Sequence, residues 1–294
     1  MDPLIIGLVA GSAVLHVAWN VRVKTAGDPL HAATIGQLAA ALVIVPLGAV
    51  AWWAGGARPL PPEGIALGLV SGVVEAGYFV LLSAAYRRGD LSVVYPIARG
   101  TAPLVAVAIG VVILGERLGV GGSAGVVALL AGFLWHQRPW RVIAALSRRQ
   151  SGDTAIAFAV ATGLSIATYS AIDRVGSRLI DPIPYAAILW LVCSACLVAW
   201  TALVGSGGLR TVERAGARSA AIGGWLSLAA YVAILFVLSV SPLTAVAPLR
   251  ESSIVLASAW GAIRLGETSD RGEAARRIAA SGLIVSGAVL LAVG

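Results

Sequence analysis

Charge is scarce in this sequence. Asp, Glu, Lys and Arg make up 12% of its 294 residues, where a soluble domain carries about 25%. That leaves too little polar surface to cover a water-soluble globule of this length. Lysine is scarcer still: Lys24 stands alone beside 20 arginines. With the heavy use of Ala and Gly, this reads as the bias of a GC-rich genome and not as a function. The surplus of +7 and the pI of about 10.1 would suit nucleic acid, but the pattern does not. Basic residues sit in short breaks between apolar runs, as in membrane proteins, and no basic stripe interleaved with aromatics occurs.

Cysteine is limited to Cys193 and Cys196. Their C-x-x-C spacing lies inside the apolar run Pro184 to Val204. Zinc needs four ligands and a redox pair needs access, so two small apolar side chains in a helix are expected and no metal site. Enzyme motifs are also missing. There is no H-E-x-x-H, no Asp-rich metal motif, and Lys24 is not preceded by Gly as a phosphate loop requires. Gly119-Val120-Gly121 with Ala124 mimics a dinucleotide fingerprint, but no strand precedes it and no ribose-binding acid follows. A non-enzyme without cofactor is expected. Met1-Asp2-Pro3 lacks the basic start of a signal peptide, so Leu4 onward should be a permanent span.

What the sequence has is long apolar runs. Mean hydropathy is +0.90, and a spanning helix needs about 20 mainly apolar residues. Ten stretches qualify: 4–22, 33–53, 65–86, 91–114, 118–135, 154–172, 184–204, 219–240, 242–263 and 276–293. Turn chemistry separates them, as at Asp28-Pro29, Gly89-Asp90, Gly115-Glu116, Asp181-Pro182 and Ser241-Pro242. The longest polar break, His136 to Asp153, lies mid-chain.

The halves resemble one another. Leu91-Ser92 and Pro96 match Leu243-Thr244 and Pro248 at offset 152. Arg99 matches Arg250, and Leu114-Gly115-Glu116 matches Leu265-Gly266-Glu267, at offset 151. Trp19 and Lys24 align with Tyr169 and Arg174 at offset 150. Ordered matches at a nearly constant offset indicate duplication. The expected units are residues 1–136, a linker 137–153, and residues 154–294. Five spans is an odd number, so the second copy enters the membrane from the opposite face. Inverted repeats of this kind meet at a midplane site in many secondary transporters. The expected fold is therefore an all-α integral membrane protein of ten transmembrane helices in two inverted repeats. Loops after odd spans, with the span ends that border them, hold 15 basic residues and loops after even spans hold 4. The positive-inside rule then puts both termini outside.

These features resemble the drug/metabolite transporter superfamily, specifically its EamA-type members. The resemblance rests on the proline-bearing fourth helix followed by L-G-E and a small-residue fifth helix. Here it reads Tyr95-Pro96 to Leu114-Gly115-Glu116, then Gly121 to Trp135. The second copy reads Ala247-Pro248 to Leu265-Gly266-Glu267, then Ile278 to Val293. Trp19-Asn20 and Lys24 resemble the family's first-helix pattern. The resemblance implies a multi-pass protein of a bacterial inner membrane. It implies secondary active transport of small polar metabolites, amino-acid export first, by alternating access. It also implies a cavity lined by helices 1, 3, 4, 6, 8 and 9. Other cargo (a phosphonate, a nucleoside or a cationic drug) and a non-transporting scaffold are the alternatives. The expected partners are a small-molecule substrate, the bilayer and, for Glu75, a coupling proton; the chain is expected to be a monomer or a weak homodimer.

Ionisable groups within a span are costly and usually face a cavity or a partner. Arg99 and Arg250 each lie about eight residues into a span, roughly 12 Å deep at 1.5 Å per residue. Entering from opposite faces of a core about 30 Å thick, they approach similar depth. They could hold a substrate carboxylate or phosphate, or pair with Glu75 and Glu251 to lock helices. Glu75 has only Ser227 as its counterpart. It is a proton-coupling candidate or a salt-bridge partner of Arg99. His16, Trp19 and Asn20 share a helical face at i, i+3 and i+4 and form a binding face or a helix–helix contact. Tyr78 shares the Glu75 face. Tyr95, Tyr169 and Tyr231 line the path or sit in an interfacial belt. Pro96 and Pro248 remove backbone bonds and kink their helices. Glycines repeating every fourth position, as at Gly64, Gly68 and Gly72, Gly7 and Gly11, or Gly121 and Gly125, permit close helix contact.

Overall fold

A computed structural model describes residues 2–25, 28–88, 91–138, 140, 144, 152–204, 214–250 and 271–293. Ten helices are described: α1 (Pro3–Thr25), α2 (Pro29–Ala54), α3 (Pro62–Arg88), α4 (Leu91–Val112), α5 (Val120–Gln137), α6 (Gly152–Leu179), α7 (Pro182–Val204), α8 (Arg214–Val240), α9 (Leu243–Arg250) and α10 (Arg271–Val293). No strand occurs among the described residues. Glu251 and Leu265-Gly266-Glu267 lie outside them.

Local chemistry sets the ends of these helices. Proline opens α2, α3 and α7 at Pro29, Pro62 and Pro182, where its missing N–H costs no helix bond. Asp28 caps α2, its Oδ1 accepting from the N–H groups of Leu30 at 2.8 Å and His31 at 3.1 Å. Its Oδ2 takes the Arg87 guanidinium at 3.3 Å. At the far end of α5, Arg138 closes the helix in the left-handed region.

Among the described residues, six helices are long and apolar enough to cross a membrane: Pro3–Asn20, Pro29–Ala54, Pro62–Arg88, Thr154–Leu179, Pro182–Val204 and Gly216–Val240. Three shorter apolar helices accompany them at Ile97–Val112, Val120–Trp135 and Ala279–Leu291. Large apolar side chains face outward, among them Leu42, Trp53, Leu203, Val204 and Val240. In water this apolar surface would drive aggregation; in lipid it is the solvated face. The chain is a multi-pass membrane protein.

Each helix finds its main partners in the other half of the chain. Thus α1 packs on α8, α2 on α7 and α8, α3 on α6 and α7, α4 on α6 and α9, and α5 on α10. Directions follow from paired contacts. A Cβ on Gly125 would lie 2.8 Å from the Gly287 carbonyl oxygen and 2.9 Å from the Leu291 nitrogen. A Cβ on Gly287 would lie 2.7 Å from the Gly125 carbonyl oxygen and 2.7 Å from the Leu129 nitrogen. Further along, Gly132 meets Ala280, so α5 and α10 run antiparallel in a mutual exchange of contacts. Likewise α2 and α7 cross antiparallel: the Thr34 and Thr201 hydroxyls share a hydrogen bond of 2.9 Å at one end, and Gly48 abuts Ala187 at the other.

The glycine spacings separate into two groups. Gly64, Gly68 and Gly72 lie tightly against Ile180, Ile188 and Leu189, and a Cβ on Gly72 would meet the Leu189 carbonyl oxygen at 2.6 Å, as close packing predicts. Among the described residues nothing lies within 4 Å of an added Cβ at Gly7 or Gly11, so that pair makes no close contact with a described helix.

Candidate functional site

The site grows from α3 and α6, which run antiparallel. Gly64 of α3 meets Ile180 of α6, and the Ser71 hydroxyl donates to Asp173 Oδ1 at 2.5 Å. One helical turn further on α3 comes Glu75, and one turn back on α6 comes Tyr169. Glu75 is 5% exposed. Its Oε2 has no hydrogen-bond partner among the described residues, and no ion pair joins it to Arg99 or Arg250. The salt bridge to Arg99 is thus not formed in this arrangement. Glu75 instead lies within electrostatic range of Arg250 and Asp173.

An aromatic chain crosses the bundle beside it. His16 of α1 meets Trp19 edge-on at 6.0 Å between centroids. Trp19 meets Phe79 at 6.1 Å, Phe79 meets Tyr78 at 4.8 Å, and Tyr78 meets Tyr169 at 5.8 Å. Tyr169 meets Tyr231 at 5.6 Å, and Tyr231 meets Trp190 at 5.9 Å. Trp19 with Phe79 and Tyr169 with Tyr231 occupy corresponding places in the two halves, at offsets of 150 and 152. The tilted and edge-on geometries are those that ring quadrupoles favour. Trp19 Nε1 is buried without a partner among the described residues.

Both arginines reach this wall. Arg99 of α4 and Arg250 of α9 are each 8% exposed. The Arg250 guanidinium lies 5.6 Å from the centre of the Tyr231 ring and donates to the Ser170 hydroxyl at 3.3 Å. It also lies close to the Tyr169 hydroxyl. Arg99 and Arg250 both lie within electrostatic range of His16 and Tyr169, and Arg99 of Tyr78 as well. The tertiary structure thus gathers His16, Trp19, Glu75, Tyr78, Arg99, Tyr169, Tyr231 and Arg250 of the expected site residues.

The remaining candidates are Asn20, Tyr95, Pro96 and Pro248. Asn20 spends its amide on its own helix, donating to the His16 carbonyl at 2.8 Å. Tyr95 and Pro96 belong to α4, but their side chains lie outside the described residues. Pro248 sits buried inside α9.

Asp173 was not anticipated. The apolar run ends at Phe-free, charged Asp173-Arg174, so hydropathy alone stops the span at residue 172. The helix in fact runs to Leu179, and Asp173 is 0% exposed. Its Oδ1 accepts from Ser71 and from the Tyr185 hydroxyl at 2.8 Å, and its Oδ2 accepts from the Tyr231 hydroxyl. One carboxylate on α6 thereby ties α3, α7 and α8. The available signal was its i, i+4 spacing from Tyr169.

Arg174 has a different role. Its Nε meets Glu116 Oε1 at 3.0 Å and its Nη1 meets the Leu238 carbonyl at 2.6 Å. Glu116 also accepts from the backbone N–H of Leu243 at 2.8 Å and Thr244 at 2.9 Å, capping α9. Gly115, at φ +64°, allows the turn that brings Glu116 there; the L-G-E motif is a helix cap and an inter-half clamp. A cavity of about 350 Å³ opens beside it, lined by Leu114, Glu116, Arg174, Val175, Arg178 and Leu179. It lies at the helix ends, apart from the central cluster. Cys193 and Cys196 are free thiols in α7.

A bundle that is apolar outside, with buried arginines, carboxylates and an aromatic wall inside, belongs to the class of membrane proteins with an internal polar site. Residues 3–136 match the EamA-like transporter family. Over this stretch the chain is similar to these membrane transporters of the drug/metabolite transporter superfamily. A solved structure described as "Crystal structure of protein" matches over 100% of this chain and 99% of its own, at 17% identity and a TM-score of 0.72, which shows a shared fold across the whole length. No curated protein matches the chain.

Proposed function

We propose that the chain is a secondary active transporter that exports small polar metabolites, amino acids first, by alternating access around the central cluster. One observation carries this reading: two buried arginines and a buried carboxylate, Glu75, whose Oε2 has no hydrogen-bond partner among the described residues, converge on one aromatic wall inside the bundle. Arg250 and Arg99 suit a substrate carboxylate through charge-assisted hydrogen bonds, with the unpartnered Trp19 N–H as a further donor. Glu75 Oε2 suits an ammonium group, and Glu75 is also the candidate for carrying a coupling proton. Each bond to a charged group contributes about 1.5–3 kcal/mol net, enough for ten- to hundredfold in affinity. A zwitterion satisfies both ends. A phosphonate would use the arginines alone, and a cationic drug or a nucleoside would use Glu75 and the rings.

In this reading the chain forms ten spans in two inverted repeats, 1–136 and 154–294, joined by the linker 137–153. The mutual contacts of Gly125 with Gly287, and of the α2–α7 pair, support the repeat. An exchange of contacts between antiparallel helices is what a two-fold axis in the membrane plane produces. The charge bias places both termini outside a bacterial inner membrane.

The test is counterflow in proteoliposomes with an equimolar mixture of the twenty tritiated L-amino acids. Uptake that Arg250→Ala and Arg99→Ala each lower at least tenfold is the expected result. No counterflow in the wild type removes amino acids as cargo, and unchanged flux in both variants removes the arginines from the site.

A further inference from the structure

Asp173 has no role in the transport scheme above, although it is buried at the heart of the bundle. In the corresponding place of the first half, at offset 150, stands Val23, so the carboxylate is peculiar to one half. A carboxylate inside a membrane protein is expensive and is retained where it acts. Three hydroxyls from three helices donate to it.

The bond to Tyr231 is the one that leads to the site. Tyr231 presents its hydroxyl to Asp173 Oδ2 and its ring face to the Arg250 guanidinium. Its edges are fixed by Tyr169 and Trp190. A ring pinned at its hydroxyl cannot swing, and a cation held over that ring takes its position from it. The Ser71 and Tyr185 bonds, in contrast, end on α3 and α7 without reaching Arg250.

We propose that Asp173 is a positioning residue for the anion-binding group of the site: through the Tyr231 hydroxyl it fixes the ring on which Arg250 rests. The assignment of an anion to Arg250 rests on the functional reading above; the positioning itself does not. Asp173→Asn changes the acceptor that Tyr231 meets. Tyr231→Phe deletes the hydroxyl and keeps the ring, so it decides the matter if Asp173→Asn fails to fold. Ser71→Ala and Tyr185→Phe remove the other two donors.

The experiment has two readouts on the full chain in nanodiscs. The first is the rate of phenylglyoxal modification at Arg250 relative to Arg99, read by peptide mass spectrometry. The second is the split between KM and maximal rate in counterflow of the tritiated amino-acid mixture. Asp173→Asn and Tyr231→Phe are expected to change relative Arg250 reactivity at least threefold and to raise KM tenfold with maximal rate within twofold. The double variant should match either single one. Ser71→Ala and Tyr185→Phe should lower thermal stability while leaving both readouts within twofold. Four variants that behave alike make Asp173 only a structural knot and overturn the proposal, as does unchanged Arg250 reactivity in Tyr231→Phe. If Arg250→Ala leaves counterflow intact while Asp173→Asn and Tyr231→Phe still alter Arg250 reactivity, positioning stands and the anion reading of Arg250 fails.

Discussion

Gly125 and Gly287 face each other across α5 and α10 so closely that a Cβ on either would sit within 2.8 Å of the other's carbonyl oxygen. Without a hydrophobic drive between helices in lipid, such backbone approach is what holds them together. Overpacking a close contact costs roughly 1–3 kcal/mol. Gly287→Leu is therefore expected to lower the melting temperature in detergent, read by fluorescence-detected size exclusion. Gly7→Ala, with open space at its Cβ, should leave it unchanged.

The clamp between the halves makes a second prediction. Glu116 answers Arg174 and two amides of α9, and all sit largely away from solvent. Removing one partner of a buried pair costs about 3–5 kcal/mol. Glu116→Ala should destabilise by that order, and Glu116→Ala with Arg174→Ala by less than the sum of the singles. Additive losses would show that the two side chains do not depend on each other.

Arg250→Lys tests the geometry of the anion partner. Lysine keeps the charge but loses the planar fork and its fit to a ring face. Affinity for the amino-acid mixture is expected to fall ten- to hundredfold, measured as counterflow KM. A lysine variant with wild-type KM means that charge alone suffices.

Glu75→Gln distinguishes the two roles open to that acid. As the ammonium contact, its loss lowers counterflow at least tenfold, which is the outcome expected from its open Oε2. Counterflow preserved, with uptake no longer driven by a pH gradient, would instead assign it to the proton.

Orientation has its own measurement. Fifteen basic residues in and bordering the odd loops against 4 in the even ones predict an external C-terminus. Alkaline phosphatase fused after Gly294 should be active and a cytoplasmic fluorescent reporter dark; the opposite pattern would falsify the charge-based orientation.

Hydropathy, turn residues and the near-150 offset were enough to anticipate an all-helical membrane bundle and its internal charges. They depend on local composition, because a span is a run of apolar residues wherever it packs. The residues gathered at the site were also legible, since a charge or a histidine inside an apolar run stands out. Their mutual arrangement was not. Glu75 and Arg99 could pair or stay apart on any pattern of spacing, and only helix packing decides that they stay apart.

Asp173 shows the limit most clearly. Beside Arg174 it reads as the polar end of a span, because a hydropathy sum cannot tell a solvated charge from one satisfied by three hydroxyls on distant helices. The sequence by itself determined the helices and the arginines inside them, since these follow from local periodicity and order along the chain. The tertiary structure alone decided which partners each polar atom meets. Bonds from Ser71, Tyr185 and Tyr231 to one carboxylate link positions far apart in the chain, and no local pattern encodes such a meeting.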